Sequence, residues 1–355
     1  MRALPKGFVA VLVVFLMGAT LAPPVHGQVA RQRAVVADSA QDAQTQRRRR
    51  RRSAASSNVG YIDSALIGTQ LQIRFDRVAA IEAPDRAEFI YGKCGCYRVL
   101  GADPDAPGPS GPLGTGDPLQ AHLVEINLRY REFVIDGEVA LHDRFSLFAE
   151  IPFRFLDGEL FRDISGIGDI QAGAKFALVA QEDRALTFQL KTYLPTGEAI
   201  DGLGTDHLSL EPALLYHEAG GERLKLEAEL RLWLPIDGST GRGTGLGDDK
   251  DFSGSVFRYG VGLGYDVSPD SGLRFTPVVE LVGWTVNGGI ASKSTDGTAS
   301  GLAIEDAGGT TILNVKVGAR FGFRTNDSVF LGIGRNLTDE WWYKRVFRAE
   351  YRLAW

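Results

Sequence analysis

Cysteine, methionine and histidine are scarce in this chain of 355 residues: two Cys, two Met and five His. The two cysteines are Cys94 and Cys96, separated by Gly95. The four-ligand spacing of a structural zinc site is therefore absent. No G-x-S-x-G and no H-E-x-x-H occurs, so the commonest hydrolase and metalloprotease signatures are missing. The pieces left for a hydrolase are His122 and His207, with Ser209 near the second. A triad would need a carboxylate or amide beside them, and the chain is expected not to be an enzyme. No stretch reaches eighteen consecutive apolar residues, so no helical membrane span is expected.

What is present starts with export chemistry. Residues 1–27 carry Arg2 and Lys6, then an apolar run from Phe8 to about Ala22, then Val25-His26-Gly27. That order predicts a cleaved secretory signal. Residues 28–58 are rich in Ala, Gln and Ser and hold the arginine run Arg47 to Arg52. Without periodicity or aromatics they read as a disordered basic tail. The net charge is −5 although signal and tail are basic, so the body is distinctly acidic. An acidic body argues against a nucleic-acid partner. In an oxidising compartment Cys94 and Cys96 are a disulfide candidate. A ring closed over one residue would be strained and easily reduced, so free thiols or a weak metal contact stay open. No cofactor is indicated and no metal site is expected.

From Thr69 onward, stretches of about ten residues alternate apolar and polar side chains and are separated by turn residues. About twelve can be counted, with 10–14 possible. The cleanest is Arg223–Leu234. Leu224, Leu226, Ala228, Leu230, Leu232 and Leu234 share one face; Lys225, Glu227, Glu229, Arg231 and Trp233 share the other. Connections alternate short and long. The short ones lie near Asp143, Asp183, Gly220, Pro269 and Asn326, and the longest is Val78–Pro118, the first candidate for a gate or plug on length alone. This predicts an all-β, up-and-down antiparallel transmembrane barrel over residues 59–355, with short turns at one end and long loops at the other. An even strand count puts both termini at the turn end, expected to be periplasmic.

The last strand reads YKRVFRAEYRLAW, with Tyr351, Leu353 and Trp355 on its apolar face. It resembles the C-terminal strand of bacterial outer-membrane barrels, and the resemblance implies that this terminal set is an assembly signal read by the barrel-assembly machinery. Charges on a lipid-facing wall are costly, so charged strand positions are assigned inward. The lumen-lining candidates are Arg74, Glu125, Arg129, Arg131, Glu150, Arg154, Lys175, Lys191, Glu211, Lys225, Glu227, Glu229, Arg231, Arg258, Glu280, Lys316, Arg320, Arg348, Glu350 and Arg352. Their surplus of bases predicts a modest anion preference, unless Arg–Glu ladders fill the lumen and close it.

A family resemblance rests on two segments. One is Gly166-Ile-Gly-Asp169-Ile-Gln-Ala-Gly-Ala-Lys175-Phe176. The other is Tyr193-Leu-Pro-Thr-Gly197, followed by Gly202-Leu-Gly-Thr-Asp206. Together they resemble outer-membrane transporters of the phenol-degradation MetA-pathway type, best over Phe145–Val267. The resemblance implies passive passage of small solutes, aromatic or hydrophobic compounds among them, across the outer membrane. The alternative is a closed structural or surface-binding barrel whose partners are outer-membrane lipid and lipopolysaccharide.

Overall fold

A computed structural model describes residues 57–81, 128–158, 163–198, 202–205, 207–221, 223–236, 253–267, 273–294, 302–323, 326–340 and 342–355. The signal, the tail as far as residue 56, Cys94, Cys96, His122, Glu125 and most of the Val78–Pro118 connection lie outside them.

The strands are β1 (Gln70–Ile81), β2 (Leu128–His142), β3 (Phe145–Gly158), β4 (Ile164–Ile167), β5 (Gln171–Ala180), β6 (Arg184–Tyr193), β7 (Leu208–Gly220), β8 (Leu224–Ile236), β9 (Ser253–Tyr265), β10 (Arg274–Ser294), β11 (Leu302–Asp306), β12 (Thr311–Gly322), β13 (Asp327–Asn336) and β14 (Arg345–Ala354). Each barrel strand pairs antiparallel with its neighbours in sequence, and β14 returns to β1 over Gln70↔Ala354 to Ala79↔Arg345. The result is a closed twelve-stranded barrel, as the alternation predicted. β4 and β11 stand outside that ring, pairing with β3 and β10 at the loop end. Closure leaves the barrel without a sheet edge, which a hydrocarbon environment demands.

Side-chain alternation gives the wall two chemistries. Outside, Ile73, Phe133, Ile135, Ile151, Phe153, Leu190, Val261, Leu281, Leu331 and Ile333 are exposed. Their strand neighbours facing inward are buried, and many are charged. A soluble sheet would have to hide such an apolar exterior; a bilayer solvates it. The β14 positions Tyr351 and Trp355 are exposed on that exterior and Leu353 is half-buried there. Short turns join β2–β3, β5–β6 and β7–β8, where Gly221 takes the left-handed φ of 74° that a tight turn requires. The opposite end carries the long connections.

Candidate functional site

The lumen is occupied. Ser57–Gly68 enters from the turn end, rises to mid-barrel around Tyr61–Asp63, and reaches the turn end again at Thr69, whose carbonyl accepts from Trp355 N–H. A buried backbone with no strand partner must find its hydrogen bonds elsewhere. Here the wall supplies them from charged side chains. Glu227 accepts from Asn58 N–H at 2.9 Å. Glu280 accepts from Gly60, Tyr61 and Ile62 N–H at 3.3, 3.0 and 3.1 Å. Glu229 accepts from Asp63 N–H at 2.9 Å. The carbonyls are met by guanidinium groups: Arg352 on Ser57, Arg320 on Asn58 and Val59, Arg348 on Gly60, and Arg258 on Tyr61.

Side chains fix the depth of this segment. The Tyr61 ring lies between Lys316 Nζ, 4.2 Å from its centroid, and Arg348 Cζ at 4.5 Å. Phe330 meets it edge-on at 5.8 Å. Room for the segment comes from β9, whose inward positions Gly260, Gly262 and Gly264 carry no side chain. A Cβ on Gly260 would sit 2.6 Å from Ile62, and one on Gly262 2.5 Å from Val59. Asp63 reaches the adjoining wall of β8 and β6, where Arg231 lies 2.5 Å and Lys191 3.6 Å away. Between the segment and β1–β3 a polar cavity of about 40 Å³ remains, bordered by Gln72, Arg74, Asp136, Glu138, Glu150 and Gln189. At roughly 10–15 Å³ per water, it has room for about three waters.

Most candidates named from the sequence face this lumen. Arg154, Lys175, Lys191, Glu150, Glu211, Glu227, Glu229, Arg231, Glu280, Lys316, Arg320, Glu350 and Arg352 are buried there, and Arg74, Lys225, Arg258 and Arg348 are half-buried. They form ladders. Lys191 pairs with Glu150 at 2.5 Å, Lys175 with Glu138 at 2.9 Å, Arg231 with Glu211 and Glu229 at 2.8 Å, and Arg348 with Asp76 at 2.6 Å. Two candidates do not belong. Arg129 and Arg131 are exposed on the outside, while Leu128 and Tyr130 are buried within. The alternation of β2 continues unbroken through this stretch against β3. The rule that charge points inward holds only where hydrocarbon touches the wall, and it does not govern the loop end of a strand. The inward charges of β2 are instead Glu132, Asp136 and Glu138, which the sequence reading missed. Exchanging two bases for three acids removes the basic surplus on which an anion preference rested.

The loop end is closed by a clasp built from the family-like motif. Asp169 accepts from Gly197 N–H at 3.0 Å and from Thr205 N–H at 2.8 Å. Thr196 Oγ1 accepts from Ile170 N–H at 2.8 Å and donates to the Gly168 carbonyl at 3.1 Å. Arg154 donates to the Leu203 carbonyl at 2.8 Å and to Glu132 at 2.6 Å. A Cβ on Gly197 would lie 2.6 Å from the Leu203 carbonyl, which is why glycine stands there. The clasp holds Leu203 over the lumen in a buried cluster with Leu156, Ile164, Trp233, Trp284, Trp342 and Tyr343. Burial raises the Tyr343 phenol above its ordinary range, so it stays neutral. Ser209 Oγ lies 3.1 Å from His207 Nδ1, and both are buried. The next inward carboxylate, Glu211, is engaged by Arg231 at 2.8 Å and Tyr193 at 3.3 Å.

No family model and no curated protein matches the chain. Among solved structures it is similar to an outer-membrane channel from Pseudomonas putida F1, with a TM-score of 0.50 at 16% identity over 84% of this chain and 100% of that one. The KdgM porin gives a TM-score of 0.40 at 9% identity, over 81% and 99%. The NanC porin gives 0.42 at 7% identity, over 80% and 98%. At this identity the first likeness establishes the fold: an outer-membrane type of β-barrel.

Proposed function

We propose that this barrel sits in a bacterial outer membrane with both ends of the chain in the periplasm, and that it passes small solutes passively through a stoppered lumen. Ser57–Gly68 is the stopper. The observation that carries the reading is how that segment is held. It is bound through its backbone by wall carboxylates and guanidinium groups of β8, β9, β10, β12 and β14, reaches β6 and β2 through Ala65 and Gly68, and leaves a polar cavity beside β1–β3. The backbone contacts can be exchanged for water, while Val59, Tyr61, Ile62, Ala65 and Leu66, packed in apolar clusters with the wall, set the seated position. The near-balanced lumen favours weak ion selectivity. The aromatic cluster around Trp284, Trp342 and Tyr343 at the loop end favours aromatic or hydrophobic cargo, as the resemblance to MetA-pathway transporters implies. The enzyme reading is less favoured, because the Ser209–His207 pair is buried and Glu211 is engaged elsewhere.

Single-channel recording in planar bilayers tests this. The intact protein is expected to conduct weakly, and a variant lacking residues 57–68 to conduct several-fold more. A second reading, a closed barrel, is favoured by the ion-pair ladders; silence from both proteins would establish it and end the channel reading.

A further inference from the structure

The arginines excluded from the lumen gather on the outside. On adjacent strands Arg335 of β13 lies directly opposite Arg345 of β14, and Arg77 of β1 directly opposite Arg131 of β2. All are exposed. Arg345 pairs with Ala79, so the next outward residue of β1 is Arg77, one diagonal step away. The two pairs therefore form one patch across β13, β14, β1 and β2. Like charges directly opposed across strands are unfavourable unless an anion joins them. Arg129, further up β2, already has Asp157 at 3.1 Å. Asp339 and Glu340 are exposed in the connection from β13 to β14. Among the described residues, the other end of the barrel shows no such row of one sign. There Arg144, Arg184 and Arg223 are mixed with Asp143, Glu182, Asp183 and Glu218, and Arg184 is paired with Glu218 at 2.9 Å.

The patch borders the exposed apolar wall. Ile333 and Phe347 follow Arg335 and Arg345 toward the turn end, Phe133 follows Arg131, and Phe155 stands directly opposite Arg131. The Arg131 guanidinium stands 5.7 Å from the centre of the Phe155 ring. Exposed guanidinium forks match phosphate oxygens in charge and spacing. An anion that also carries acyl chains would engage the arginines and the apolar wall together.

We infer that this outer face binds the phosphates of a lipopolysaccharide, with the acyl chains on the apolar wall below. The spacing selects that lipid class. Strands lie ~4.8 Å apart and residues ~3.3 Å apart along a strand, so two strand spacings and a two-residue offset separate the centres of the arginine pairs by about 12 Å. A disaccharide headgroup phosphorylated at each end bridges such a distance, whereas a glycerophospholipid carries one phosphate. The inference rests on the placement of the loop end at the outer leaflet; barrel formation is checked separately, so the two can fail independently.

The test uses the full-length protein refolded without native lipid and the variant R77Q/R131Q/R335Q/R345Q. Probes are bisphosphorylated lipid A, its dephosphorylated form, phosphatidylglycerol and inorganic phosphate. Native mass spectrometry reads retained lipid, and heat-modifiable gel migration reads folding. The wild type is expected to retain lipid A and none of the other three probes. Loss of four exposed contacts weakens retention by about tenfold or more. The variant R77Q/R131Q, which leaves β13 and β14 unchanged, falls between, and decides the matter if the quadruple variant does not fold. Equal retention of lipid A by folded wild type and variant overturns the inference. So does phosphatidylglycerol or inorganic phosphate binding as well as lipid A.

Discussion

Glu280→Gln is the most informative single perturbation of the stopper. Glu280 is 1% exposed, and its two oxygens take the N–H groups of Gly60, Tyr61 and Ile62. The substitution keeps the shape and one acceptor oxygen, and it turns the other position into a donor facing the Gly60 N–H. Two charge-assisted bonds become neutral, at roughly half their strength, and one buried donor is left opposed. Summed, the seated segment loses about 3 kcal/mol, allowing for relaxation. If the stopper exchanges between seated and released positions, its released population rises about 150-fold. Val59→Cys, in a background with Cys94 and Cys96 changed to Ser, gives the assay. Val59 is 1% exposed, so a bulky maleimide added to intact liposomes reports release only. Labelling of the Glu280→Gln protein should accelerate by about two orders of magnitude. Glu218→Gln, at the turn rim, serves as control and should leave the rate unchanged. A rate within about twofold of the parent, on a barrel shown to be folded, would refute the claim that backbone pairing seats the segment.

Other outcomes follow from the same geometry. Gly262→Val puts a side chain where Val59 now lies and should raise single-channel conductance while β9 still pairs with β8 and β10. Tyr61→Ala removes a ring held by two cations and Phe330, at roughly 3–5 kcal/mol for a buried aromatic, and should speed Val59→Cys labelling. Tyr61→Phe should behave as wild type, because the Tyr61 hydroxyl has no hydrogen-bond partner among the described residues. Asp169→Ala frees two backbone N–H groups and the Thr205 hydroxyl. Limited proteolysis should then cut between Leu194 and His207 in an otherwise folded barrel.

Where hydrocarbon sets the rule, the sequence was readable. In β8 the leucines face out and Lys225, Glu227, Glu229, Arg231 and Trp233 face in, because a charge in lipid is prohibitive. Loop length alternates for a reason equally local: short turns join strands directly. The rule lapses where lipid ends. Arg129 and Arg131 look like Arg231 in sequence, yet they face outward at the loop end of β2, and beyond the hydrocarbon either face tolerates charge. The stopper was hidden for a different reason. Ser57 and Asn58 read as the end of a polar tail and Val59–Gly68 as the approach to the first strand, and composition alone does not show that both are threaded back inside. One signal was available. Gly260, Gly262 and Gly264 leave the inward face of β9 bare, where every neighbouring strand carries bulk or charge. A run of inward glycines implies that something else fills the space. Its partner could be named only once the barrel was closed and Val59 and Ile62 lay against those gaps.

Why a charged lumen holds a stopper at all follows from the two solvents it must satisfy. An apolar segment in an apolar lumen would fuse with the wall as a core, and its release would expose that whole surface to water. The present lining faces a smaller penalty. Glu227, Glu280, Arg320 and Arg348 are desolvated when the segment is seated, and it offers them amide groups in place of water. On release water takes the same positions, so the difference between the states is a small residue of large opposing terms. Lys191–Glu150 and Arg231–Glu211 are pairs within the wall, so neither base depends on Asp63 of the segment alone for a counter-charge. Specificity of seating then falls to the few contacts that water cannot imitate: Tyr61 between Lys316 and Arg348, and Val59 and Ile62 in the glycine gaps of β9. Backbone pairing makes the lumen able to hold a peptide; these side chains decide which peptide, and in which register.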